Sequence, residues 1–332
     1  MIGNSNQIVS IQMLRGLAAS VVCFFHFTNG APDYLPDDNF IKQVFSYGHY
    51  GVQIFFVVSG FILPYSLYKL NYRIKNFKNF FLRRLIRLEP PYLLSIFLVI
   101  ALAYVSMLSP FYRGKPFTLD WNNFFFHFGY LNAFLNESWL NPVYWTLAIE
   151  FQFYLILGVL YNFFKDSSRP VQLLILFLFL ILSLIIKDNN LIFHHAPMFI
   201  MGILTFLFFI KKIEIKSYVA IAFALGLIVF FTADIESVVA GLASMILIFV
   251  LSWPVKVFLF LGKISYSLYL IHVPIGMRII NISENLIPVV NINFRLAFIA
   301  VAFGVSVLSA YLFYLLVEKK SIEWTKKIFT SI

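Results

Sequence analysis

Residues 8–27 read IVSIQMLRGLAASVVCFFHF, an apolar run that is interrupted by Arg15 and His26. A helix of about 20 apolar residues is long enough to cross the hydrocarbon core of a bilayer. The two side chains are eleven residues apart, and eleven steps of about 100° return to within about 20° of the starting direction. They therefore share one face of the predicted helix, roughly 16 Å apart along its axis. Ionisable side chains within a span normally face a bundle interior and mark a site or a pathway.

The composition of the whole chain is typical of a membrane protein. The 332 residues are 61% hydrophobic and only 12% charged, with a mean hydropathy of +0.86. A soluble protein of this length needs more charge to cover its surface. The net charge of +10 is therefore interpreted through the positive-inside rule and not as a nucleic-acid surface. We expect a lipid bilayer around the chain and no nucleic-acid partner.

Apolar runs recur from end to end and predict a single all-α membrane domain over residues 1–332, with ten transmembrane helices. Basic and non-basic connections alternate: residues 69–87 carry seven Lys and Arg, whereas residues 29–49 carry three Asp and one Lys. This alternation places both termini in the cytoplasm. The N-terminal MIGNSNQ lacks the features of a removable signal peptide, so we expect the first span to remain as an anchor. The predicted spans are 8–28, 50–69, 81–106, 143–163, 171–187, 193–210, 217–232, 237–253, 262–280 and 294–317.

His26 and Glu150 are predicted at similar depth in the outer half of the bundle. Glu150 lies in the fourth span, within YWTLAIEFQFYLIL, which runs inward from the outer surface. A carboxylate beside an imidazole reduces the cost of burying both groups, orients the ring and stabilises its protonated form. The alternative is that water or a neighbouring helix satisfies each group separately.

The cytoplasmic end of the third span reads FFLRRLIRLEPPYLL and contains Arg84 and Arg87. Three residues apart, these arginines share a helix face. Guanidinium groups bind phosphates bidentately, so the pair could hold a phosphorylated ligand from the cytosol. The alternative is an ordinary basic flank that contacts lipid headgroups.

Other polar residues are weaker candidates. His272, in SYSLYLIHVPI of the ninth span, is expected to have a packed, hydrogen-bonded role. His194 and His195 begin the sixth span and are interpreted as interfacial. The single cysteine, Cys23, excludes an intrachain disulfide. No His or Cys spacing is typical of a metal site, and we expect no metal.

Five segments together resemble the integral-membrane acyltransferase 3 family: LRGLAASVVCFFHF, GVQIFFVVSGFIL, FLRRLIRLEPPYLL, YWTLAIEFQFYLIL and LGKISYSLYLIHVPI. The resemblance implies a ten-helix domain in the bacterial plasma (inner) membrane. It also implies transfer of a short acyl group, most often acetyl, from cytosolic acyl-CoA to an extracytoplasmic acceptor. The acceptor is commonly a hydroxyl of a surface glycan such as O-antigen or exopolysaccharide.

The family's motifs fall on the residues already singled out. Its Arg-x10-His motif matches Arg15 and His26, its Arg-x-x-Arg motif matches Arg84 and Arg87, and its acidic residue matches Glu150. The resemblance implies that His26 and Glu150 are catalytic, and that Arg84 and Arg87 contact acyl-CoA, with acetyl-CoA as the expected donor. Arg15 either contacts the acyl-CoA arm or holds helices together.

The chain departs from the family at two positions. Gln53 stands where many relatives have an acid, and Glu318 is followed by Lys319, where relatives often have Pro. We carry no role over to Glu318. Some relatives have a fused extracytoplasmic esterase-like domain. This chain ends about fifteen residues after its last predicted span, so we expect it to act alone or with a separate partner.

The expected mechanism uses His26 as a general base on the acceptor hydroxyl, which attacks the thioester directly. An acyl-histidine intermediate is the alternative route. Two other functions are considered. A membrane transporter or flippase for a glycan or small anionic substrate also uses intramembrane charge, but no internal repeat is detected. A non-catalytic scaffold leaves the register of Arg15 and His26 unexplained.

Overall fold

The structure, a computed structural model, describes residues 3–109, 116–286 and 291–328. Within these ranges every regular element is helical. Short 3-10 segments and one π-helical turn, Tyr314–Glu318, accompany the α-helices. The α-helices are α1 (Gly3–Asn29), α2 (Phe40–Ser46), α3 (Gly51–Lys69), α4 (Phe77–Met107), α5 (Trp121–Phe126), α6 (Asn132–Leu135), α7 (Tyr144–Asp166), α8 (Arg169–Ile185), α9 (Ile192–Phe209), α10 (Ile215–Thr232), α11 (Ile235–Val250), α12 (Lys256–Lys263), α13 (Ser265–Leu286), α14 (Ile292–Phe313) and α15 (Lys319–Ile328).

Seven helical stretches in the described part of the chain are long and apolar enough to cross a bilayer, and α12 with α13 forms an eighth if the bent pair is one span. Two shorter apolar helices, Pro170–Ile185 and Ile235–Val250, fall where the fifth and eighth spans are predicted. The chain is thus an all-helical, multi-pass membrane protein, as predicted. The count of ten spans stays a prediction. The seven stretches are Val9–Asn29, Phe40–Lys69, Ile74–Met107, Tyr144–Asp166, Ile192–Phe209, Ile215–Thr232 and Ile292–Ile328.

The first of two compact units consists of Met1–Ala18, Tyr50–Leu82 and Thr146–Gly262. Its most extensive helix pairing joins α3 to α9. Gly60 and Gly202 permit it, since a Cβ on either residue would collide with a backbone carbonyl of the facing helix. Without a hydrophobic drive between helices in lipid, such close backbone approach is what holds membrane helices together.

The second unit consists of Ala19–His49, Arg83–Trp145 and Lys263–Ile332. Here α13 and α14 pack along their length. Gly276 of α13 faces the ring of Phe27 in α1, where a Cβ would collide with the ring. The close approach of α1 and α13 sets the distance between the polar side chains that these two helices carry.

Candidate active site

His26 lies on α1, in the second unit, and its ring is half-buried. Its Nδ1 atom is 2.9 Å from the carbonyl oxygen of Val22, four residues earlier in the helix. The same Nδ1 atom is 3.2 Å from Nε2 of His272, and the two ring centroids are 5.0 Å apart. Both contacts use Nδ1, and Nε2 of His26 lies outside both of them.

His272 is fully buried on α13, in the same unit as His26. Its Nδ1 atom lies 3.0 Å from the carbonyl oxygen of Leu268 and 2.9 Å from that of Tyr269. A carbonyl oxygen accepts only, so Nδ1 of His272 carries the proton when the ring is neutral. Its Nε2 atom then presents a lone pair towards His26. The predicted packed, hydrogen-bonded role of His272 is confirmed, but its partner is one that the sequence did not indicate.

Pro274 explains how α13 is held beside this pair. Proline has no N–H, so the carbonyl oxygen of Leu270, four residues earlier, loses its helical partner. Asn141, buried before α7, donates Nδ2 to that oxygen at 2.9 Å. The Leu270 carbonyl oxygen thus regains a hydrogen-bond partner within one turn of His272. The bond from Asn141 holds α13 in place beside the two histidines.

Glu150 lies on α7 in the first unit and is half-buried. Its Oε1 atom accepts a hydrogen bond of 2.8 Å from Oγ of Ser59 on α3. The sequence did not indicate this serine partner. His26 belongs to the second unit, and its pairing with Glu150 stays a prediction.

The three predicted acyl-CoA arginines are all half-buried within long helices. Arg15 lies on α1, whose unbroken course confirms the helix predicted there. Arg84 and Arg87 lie on α4 in the second unit, where Arg87 is within electrostatic range of Tyr314. Their predicted contacts with acyl-CoA stay predictions.

Glu318 has a structural role that its departure from the family pattern did not indicate. It is buried at the end of the π-helical turn. Its Oε2 atom accepts from Oγ of Ser267 at 2.5 Å and from the backbone N–H of Ser267 at 3.2 Å. The first N–H groups of a helix lack intrahelical acceptors and favour a negative charge. A carboxylate from a distant helix therefore caps the start of α13.

Within the ranges that the structure covers, no group of three or more His, Cys, Asp or Glu side chains is arranged to hold a metal ion.

The sequence model of the acyltransferase 3 family, described as an acyltransferase domain, matches residues 8–315. The chain belongs to this family. Arg15, His26, Arg84, Arg87 and Glu150 of this acyltransferase 3 chain lie inside the matched range, as does His272. The chain therefore carries an acyltransferase domain, and the family predicted from its sequence motifs is confirmed.

Its similar proteins include the O-acetyltransferase OatA of Staphylococcus aureus strains NCTC 8325, COL and MRSA252. Each is 26% identical over 281 residues, which cover 70% of this acyltransferase 3 chain and 47% of the relative. The chain thus spans about half the length of the curated relatives it matches. No solved structure matches it significantly.

Proposed function

We propose that this chain is a membrane O-acyltransferase that moves a short acyl group, acetyl in our assignment, from cytosolic acyl-CoA to a hydroxyl of an extracytoplasmic carbohydrate. Membership of the acyltransferase 3 family and similarity to proteins named O-acetyltransferase support the reaction class. The observation that carries the proposal is the placement of His26. Its Nδ1 atom is engaged within a membrane helix and its Nε2 atom is left for an incoming hydroxyl.

In the proposed reaction, Nε2 of His26 removes the proton of the acceptor hydroxyl as the hydroxyl oxygen attacks the thioester carbonyl. The C–S bond then breaks, the new C–O ester bond remains, and the CoA thiolate takes the proton back from the imidazolium. Atoms and charge balance without a metal or a redox step. Glu150 is proposed to stabilise the imidazolium through its negative charge, because Nδ1 of His26 already contacts the carbonyl oxygen of Val22 and Nε2 of His272.

We further propose ten membrane spans with both termini in the cytoplasm of a bacterium, in its inner membrane. The alternating loop charges support this orientation, and α8, α11 and the bent α12–α13 pair supply apolar helices at the remaining predicted spans. His26 then lies on the outer side, where an O-antigen or exopolysaccharide acceptor would be. Arg84 and Arg87 lie at the inner rim, and the acyl-CoA arm would extend past Arg15.

The decisive experiment measures consumption of acetyl-CoA by the purified protein, with and without a glycan acceptor. We expect His26→Ala to reduce the rate at least 100-fold, the usual contribution of a positioned base being about 10²–10⁴-fold. His49→Ala is the matched control, because the ring of His49 lies 5.2 Å from that of Phe25, the residue before His26, and its Nδ1 atom is 2.6 Å from the carbonyl oxygen of Ser46. Full activity of the His26→Ala protein would refute the proposal, and glycan movement without acetyl-CoA would favour a transporter.

The role of the α4 arginines is tested separately. Arg84→Ala should raise KM for acetyl-CoA about tenfold or more, because a hydrogen bond to a charged group contributes about 1.5–3 kcal/mol. Arg83→Ala is the control, since the adjacent position points about 100° away around the helix. An unchanged KM in Arg84→Ala, or an equal rise in the control, would remove the phosphate-binding role.

A further inference from the structure

The strongest unassigned feature is the contact between His26 and a second, completely buried histidine. His272 lies 246 positions further along the chain, yet its Nε2 atom reaches Nδ1 of His26 at 3.2 Å. A charged histidine is costly at a fully buried position within a membrane span. A neutral ring whose N–H is hydrogen-bonded does not carry this cost, and the hydrogen bonds of His272 fit the neutral form.

The hydrogen bonds fix where the protons are. Nδ1 of His272 must be protonated to donate to the carbonyl oxygens of Leu268 and Tyr269, so its Nε2 atom can only accept. Nδ1 of His26 must be protonated to donate to the carbonyl oxygen of Val22, and the same N–H points to the lone pair of His272. The second ring nitrogen of His26, Nε2, is then the unprotonated one in the neutral state.

We propose that His272 is a positioning residue that holds His26 in the Nδ1–H tautomer and so makes Nε2 the reactive base. The inference rests on the proposed function, in which His26 accepts the hydroxyl proton. His272 contacts no reacting atom in this scheme and acts through His26. When His26 becomes an imidazolium, its Nδ1–H still faces two acceptors, the Val22 carbonyl oxygen and Nε2 of His272.

Three substitutions separate this role from simple packing. His272→Phe keeps a planar ring but removes the acceptor. His272→Gln can place an amide oxygen where Nε2 lies, and His272→Asn reaches only as far as Nδ1. We expect kcat to fall about 100-fold or more in His272→Phe and His272→Asn, because a positioned base contributes about 10²–10⁴-fold and either change removes the acceptor that holds its tautomer.

The same proposal predicts that His272→Gln retains kcat to within about tenfold of the unsubstituted protein, with KM for acetyl-CoA unchanged in all three variants. Retained kcat in His272→Gln together with lost kcat in His272→Asn would support the positioning role of His272. Unaltered kcat in His272→Phe, an equal loss in Gln and Phe, or an effect confined to KM would overturn it. Thermal unfolding in detergent confirms that the variants compared are folded.

A measurement without substrate keeps this inference separate from the proposed function. Nitrogen-15 NMR of protein labelled at its six histidines reports which ring nitrogen carries the proton, and His26→Gln assigns the signal by difference. We expect the Nδ1–H tautomer at His26 and its replacement by a tautomer mixture in His272→Phe, with no change in His49→Phe. An Nε2–H tautomer in the unsubstituted protein would overturn the inference. Loss of activity in the reaction assay would instead bear on the proposed function.

Discussion

His26 on α1 and His127 just after α5 each place Nδ1 on the carbonyl oxygen four residues earlier, at 2.9 Å from Val22 and 2.8 Å from Asn123. Both belong to the second unit. They differ at Nε2. His127 is completely buried and accepts the backbone N–H of Leu140 at 3.1 Å, whereas the ring of His26 is half-buried and its Nε2 atom is outside both contacts. The same helical bond thus accompanies an Nε2 atom that is bonded in His127 and one that lies outside both contacts in His26, the ring that we propose as the base.

The surroundings of His127 show what a structural histidine does here. The hydroxyl of Tyr92 on α4 donates to its carbonyl oxygen, and the ring of Trp139 stands edge-on at 5.5 Å. With the bond to Leu140, these contacts fasten the chain between α5 and α7 to α4. Each polar atom of the ring has a backbone partner, so the ring is tied to its surroundings on both sides.

The comparison predicts its largest effect, opposite changes in stability and activity, when His127 and His26 are each replaced by alanine. His127→Ala leaves the buried N–H of Leu140 without its acceptor, which costs about 1–3 kcal/mol before the lost packing is added. We expect a lower unfolding temperature in detergent, with kcat of the folded protein unchanged. His26→Ala should show the reverse: an unfolding temperature near that of the parent protein and little remaining activity.

Similar changes in unfolding temperature and kcat in His127→Ala and His26→Ala would contradict the distinction between the two histidines. Full stability of His127→Ala would mean that water or a shift of the loop satisfies Leu140. A fall in kcat larger than the fall in the folded fraction would mean that His127 takes part in the reaction. His127→Gln is the matched variant, because its amide oxygen can accept from Leu140.

The sequence was sufficient for the helices and for the shared face on α1, because these depend on local hydropathy and helical period. The apolar helices of the structure fall at the predicted spans, and α1 is continuous through Arg15 and His26. The residues next to each histidine in the sequence did not distinguish the half-buried ring of His26 from the fully buried ring of His127. The difference between the two rings depends on contacts with residues outside their own helical turns.

The partners of the site residues could not be predicted for the same reason. His272 meets His26 across 246 positions, Ser59 meets Glu150 across 91 and Ser267 meets Glu318 across 51. Which polar groups meet depends on the packing of whole helices, which a single sequence does not specify. The available signal was the rule already used for His26: an ionisable residue within an apolar span faces the bundle interior. It applies equally to His272.

The smallest effect concerns the pH dependence of stability at His127. Burial lowers the pKa of this ring below its ordinary value of 6.5, because removal from water penalises the charged form. Between the lowered pKa and about 6.5, the unfolded chain binds more protons than the folded one, so stability falls as pH falls through that window. Above about 6.5 this contribution is fully present.

We therefore expect the unfolding temperature of the parent protein to fall more than that of His127→Gln between about pH 7.5 and about pH 5.5. Each pH unit inside the window accounts for at most about 1.4 kcal/mol. The difference between the two proteins isolates His127, because every other titrating group is common to both. Parallel curves would show that the ring is protonated as readily in the folded protein as in the unfolded one. In that case the bond from Leu140 would not distinguish His127 from His26.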